Sequence, residues 1–242
     1  MSKERPWPEH ILGIMKNRAE VDLLVEIHSK IGDRGPGRRR NIEVLNRSAI
    51  VLLVACWEAY VEDLADIAFD FLLKHARRPT DIPKKVLSMA SKELREHKDP
   101  VRVWELAADG WKKVLAGHKE DVKNRYVGRL NSPRPDTIDE LFESLIGAKS
   151  LSREWKWQSS SNKRTLERLD QLITLRGSIA HRVSASTPVH RGLVQQANDL
   201  VGHLSAILSN QVANHLYNLF AVEPWIFVKY ANDGASQGLP SN

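Results

Sequence analysis

The stretch "NRSAIVLLVACWEAYVEDLADIAFDFLLKH" constrains this chain most, because it lies inside a single predicted helix of about Ile42 to Ala76. Its first half is apolar nearly all round, which marks a central helix that neighbours must bury. In its second half the pattern narrows to a stripe: Tyr60, Leu64, Ile67, Ala68 and Phe71. Arg77, Arg78 and Pro79 end it.

The other long segments are helical in period too. A first helix is expected from about Glu9 to Ile31, with Ile11, Ile14, Met15, Leu23 and Ile27 on its buried side. "GDRGPGRRR" breaks it, because two glycines beside a proline do not continue a helix. Two or three short helices fill Pro83 to Leu130, punctuated by Pro100 and Gly110. In "NSPRPDTIDELFESLIG" the prolines force an extended entry, Thr137 and Glu140 suit a capping box, and Gly147 stops the helix. "AKSLSREWKWQSSSN" reads as a loop. Helices of about Lys163 to Ile179 and Val189 to Phe220 follow, then "PWIFVKY" as a segment packed on the bundle. The expected architecture is all-α: one helical-bundle domain over residues 1–230 with additional short helices, and a disordered C-terminal tail at 231–242.

Chemistry-bearing motifs are few. The one cysteine, Cys56, lies in the apolar run and reads as core, so no disulfide framework exists within the chain and a reducing cytoplasm is the expected location. "MSKERPWPEH" lacks a signal-peptide core, and the run Ala49 to Trp57 is too short to span a bilayer, so no membrane association is expected. Phosphate-binding glycine loops, zinc spacings and nucleophile elbows are absent, so no cofactor or metal is expected. His75, His97 and His118 stand in charged contexts and read as exposed. The formal charge of +6 is compatible with a polyanion, and its basic residues concentrate in "RGPGRRR", "KHARRP" and the stretch Lys112 to Arg134.

"LITLRGSIAHRV" stands apart. It ends an apolar helix with Arg176, a small-residue turn and His181. With nine histidines in 242 residues, about 0.7 Arg-x4-His pairs arise by chance, so spacing alone says little. Positions five apart stand about 140° apart round a helix, so the two side chains converge only if the helix ends or loosens at Gly177 and Ser178. Glu58 is a carboxylate in a region expected to be buried, where it needs a partner: Arg176 or another core polar group. Ser178 suits either a phosphate oxygen or the loosening of the helix.

These residues resemble a known family. "LRGSIAHRV" resembles the R-x4-6-H signature of HEPN domains. "RSAIVLLVACWEAYVEDL" resembles the long central helix of the RiboL-PSP-type branch, and "NSPRPDTIDELFESLIG" the turn and short helix before its motif helices. The resemblance spans about Arg47 to Val201, with the three stretches in the family's order. It implies a metal-independent endoribonuclease with Arg176 and His181 as catalytic residues, Glu58 and Ser178 in support, and a homodimer joining two motifs in one cleft. Arg38, Arg39, Arg40, Lys112 and Lys113 would hold flanking RNA phosphates. It further implies a toxin or defence effector, with an antitoxin or regulatory protein as a possible partner. Many active members carry Asn or Asp after the arginine; here it is Gly177. That departure leaves a second reading open, a non-catalytic module binding RNA or a protein; a third is a helical scaffold with no nucleic-acid role.

Overall fold

The structure, a computed structural model, describes residues 6–32, 39–127, 133–182 and 188–230; the side chains of 28–32, 39–42, 127, 181 and 182 fall outside that description. The described chain is all-α apart from an isolated bridge between Trp157 and Ser160. Its helices are α1 (Glu9–Gly32), α2 (Arg39–His75), α3 (Lys84–Ala90), α4 (Lys92–Glu96), α5 (Gly110–Val127), α6 (Pro135–Ile146), α7 (Asn162–Arg182) and α8 (Arg191–Phe220), with 3₁₀ turns at Pro79–Asp81, Pro100–Leu106 and Leu151–Glu154.

The 37-residue α2 is the axis of the bundle. α1, α7 and α8 pack along it, and α6 and α5 cover its second half. Ile50, Leu53, Val54, Trp57, Val61, Leu64, Phe69 and Leu72 are wholly buried there. By length and composition alone Glu43–His75 is apolar enough to cross a membrane, yet half of its most apolar window is covered by the rest of the bundle. Trp57 stacks on Tyr60 at 5.7 Å and meets the edge of Trp155 at 6.4 Å. The Tyr60 hydroxyl donates to the Ser205 carbonyl at 2.5 Å and ties α2 to α8. Cys56 is a buried free thiol of this core.

The structure departs from the sequence reading in several places. The first half of α2 is not buried all round: Val44 and Leu52 are 51% and 36% exposed, and Ser48 and Ala55 also face outward. Leu23 is exposed, because α1 buries the face of Ile11, Ile14, Val21 and Val25 instead. α6 begins at Pro135 with Arg134 in the capping position, so no Thr137–Glu140 box forms; Glu140 instead accepts from the Tyr126 hydroxyl at 3.2 Å. His118 is buried, with Nε2 at 2.9 Å from the Ser144 carbonyl. Finally, α7 does not stop at Ile179 but runs on to Arg182.

Residues 224–230 pack on the bundle without joining a sheet: Asn210 donates to the Val228 carbonyl and accepts from its N–H, both at 2.8 Å. The tail expected at 231–242 lies outside the described residues. Leu64→Ala opens a cavity at the centre of α2 and is expected to cost about 2–5 kcal/mol in urea unfolding. Val101→Ala, at a position 66% exposed, is expected to stay within about 0.5 kcal/mol.

Candidate active site

α7 buries Thr165, Leu169, Leu172, Ile173 and Ile179. At 100° per residue these fall on one arc of the helix, and Arg176 falls in the middle of it. Its guanidinium is therefore pressed against α2, where Glu58 meets it with Nη2 3.7 Å from Oε1. The two side chains are only 23% and 15% exposed. Burial pushes the Glu58 carboxyl above the usual carboxylate range; Arg176 draws it back down, and nearby Glu62 raises it again. A charged fork fixed at a half-dry helix interface is suited to gripping an anion, because its orientation is set before the ligand arrives.

Trp57, next to Glu58, supports the same corner. Its indole N–H donates to the Pro133 carbonyl at 3.3 Å and fixes the chain as it enters α6. The following residue, Arg134, lies over the outer face of α7. Its Nη2 donates to Thr174 Oγ1 at 3.2 Å, and Nη1 pairs with Asp170. Positions 170, 174 and 181 follow one stripe of α7, since seven residues turn the helix through about 700°, nearly two full turns.

The remaining candidates separate. The Ser178 hydroxyl donates to the Leu175 carbonyl at 2.8 Å, a bond made within the continuous helix. Gly177 stands inside a continuous helix with nothing within 4 Å of where a Cβ would project. The break expected between Arg176 and His181 is therefore absent, and the two positions keep their separation of about 140°. The helix persists because glycine permits a turn without imposing one, and the buried Ile179 holds this last stretch to the core while Ala180 is exposed. The His181 side chain lies outside the described residues, as do Arg38 and the side chains of Arg39 and Arg40 in the first turn of α2.

Lys112 and Lys113 are remote from this corner. Lys123 meets Asp66 and Lys119 meets Asp70, so α5 runs antiparallel to α2. Helical rise then places the lysines about 28 Å along the axis from Glu58. Lys112 stands 3.6 Å from Asp109 and over the Trp111 ring. Among the described residues no cluster of three His, Cys, Asp or Glu side chains is placed to hold a metal ion. Arg134 and Trp57 escaped the sequence reading as parts of this corner. The signal for Arg134 was its place between Pro133 and Pro135, which fix the backbone on both sides.

Because the folded-state pKa of Glu58 is raised, the folded protein holds that proton more tightly than the unfolded chain does. Its contribution to stability is present below the ordinary glutamate pKa and is lost as pH rises through the raised value. Wild type is thus expected to lose stability relative to Glu58→Gln across that interval, read by thermal unfolding at a series of pH values; parallel curves would contradict it.

The sequence profile of the RiboL-PSP-HEPN family matches residues 16–214, which span the arginine and histidine, the central helix and the corner where they meet. No curated protein and no solved structure matches the chain. The profile covers most of the 242 residues: this chain belongs to the RiboL-PSP-HEPN family.

Proposed function

We propose that the protein is a metal-independent endoribonuclease that works as a homodimer. The observation that carries this reading is the Arg176–Glu58 pair, a preset guanidinium at the edge of an open helix seam, five residues before the motif histidine. RNA supplies its own nucleophile. The 2′-oxygen attacks the adjacent phosphorus, its proton passes to a base, and the 5′-oxygen leaves with a proton from an acid, giving a 2′,3′-cyclic phosphate and a 5′-hydroxyl. Histidine suits both proton transfers near neutral pH. Arg176 stabilises the charge that gathers on the non-bridging oxygens, and Glu58 keeps its fork in place.

The seam supports the dimer. Val44, Ser48, Val51, Ala55 and Glu58 recur at alternating spacings of four and three residues, the pattern of helices that pack along their length. Val44, Ser48, Val51, Leu52 and Ala55 line, with Arg47 and Ile179, a groove of about 440 Å³. The small Ser48 and Ala55 allow a second α2 to approach closely, and the stripe of α2 ends at Glu58, the partner of Arg176. A two-fold contact there brings two motifs together. It also answers the separation of positions 176 and 181 round one helix, since each phosphate can take its arginine from one protomer and its histidine from the other.

The same reading makes the protein a cytoplasmic toxin or defence effector restrained by a partner protein. Gly177, where many active members carry a polar residue, favours a second reading: a non-catalytic module that binds RNA or a partner protein. Cleavage of a mixed RNA pool in excess EDTA decides between them. Fragments ending in 2′,3′-cyclic phosphate are expected, with rates at least about 100-fold lower for Arg176→Ala and His181→Ala while both stay folded and dimeric. Cleavage indifferent to both substitutions, or none at all, would overturn the enzyme. Leu52→Asp is expected to yield an inactive monomer by sedimentation; an active monomer would refute the seam.

A further inference from the structure

We infer that Arg134 is a second phosphate-binding guanidinium of this site, held on α7 by Asp170 until RNA displaces the carboxylate. The inference rests on the RNA reading above and adds a residue that the motif does not contain. Arg176 is mostly buried and already shares its charge with Glu58, so it leaves much of a phosphate's charge unanswered. Of the lysines of α5, Lys112 and Lys113 stand about 28 Å along the axis from Glu58, and Lys119 and Lys123 are paired with Asp70 and Asp66 of α2.

Arg134 is placed where a further cation is needed. It rests on the stripe of α7 that carries position 181, about 10 Å along the axis from Thr174 to that residue. Its backbone is set by the core, through the buried Trp57 and the Pro133 carbonyl. Its own side chain is 39% exposed and that of Asp170 is 57% exposed, so their pair is open to solvent. An ion pair in water is worth little and exchanges readily. A phosphate offers the same fork of acceptors as the carboxylate, and RNA presents several at once. Asp170 therefore serves as a stand-in for the substrate, keeping the guanidinium extended over α7.

The test is binding of a labelled single-stranded RNA by the full chain carrying His181→Ala, which suppresses cleavage, measured by anisotropy over a range of salt concentrations. Adding Arg134→Ala is expected to weaken binding several-fold and to reduce the slope of log affinity against log salt by about 0.7, the loss of one phosphate contact. Adding Asp170→Asn instead is expected to tighten binding, since the competing carboxylate is gone. A merely structural tether predicts otherwise, because both substitutions break the same pair and would weaken binding together with no change in slope. An unchanged slope with Arg134→Ala, or weaker binding with Asp170→Asn, overturns the assignment of Arg134 while leaving the RNA reading intact. Absence of salt-dependent binding by the parent protein overturns both.

Discussion

Everything in this molecule is arranged around the burial of α2. Its wholly buried side chains include Trp57, Leu64, Phe69 and Leu72, and α1, α5, α6, α7 and α8 each gain stability by removing that surface from water. Because one helix touches so many others, a charged side chain on its packed faces is costly. Glu58 is one, and the chain meets its cost with Arg176 from α7. The pair that makes the candidate chemistry is thus also a consequence of the packing.

That dual character shapes the site. A guanidinium facing open solvent has many rotamers to lose when it grips an anion, whereas one already set against a carboxylate and a helix face has fewer. The carboxylate that sets it also competes with the ligand. The arrangement of Arg134 over Asp170 and Thr174 repeats the pattern on the outer face of α7, in a wetter setting where the partner is easier to displace. Both arginines reach α7, one from within the helix and one from the entrance to α6.

The sequence was most informative where periodicity and burial are the same fact. The long central helix, the stop at Gly147 and the final helix were legible because apolar spacing reports a buried face directly. Val44 and Leu52 misled for the same reason: hydrophobicity marks a side chain that gains from leaving water but cannot say whether this chain or another copy covers it. Gly177 and Ser178 suggested a break by their propensities, but packing on α2 carries α7 through them to Arg182. Of the candidate site, Glu58 and Arg176 were legible as a possible couple because a buried charge needs a partner. Arg134 was missed, since the prolines on either side of it mark a fixed backbone but its partner on α7 lies 40 residues away.

A continuous α7 holds positions 176 and 181 on different sides of one helix, so the account stands on the site being shared between two protomers. The most direct measurement mixes the inactive Arg176→Ala and His181→Ala proteins, lets their subunits exchange, and follows RNA cleavage in EDTA. Half of the re-formed dimers then carry one chain of each kind, and in each of these one of the two centres is whole. The account predicts recovery to about a quarter of wild-type activity. No recovery, with subunit exchange shown independently, would contradict it and confine each site to a single chain.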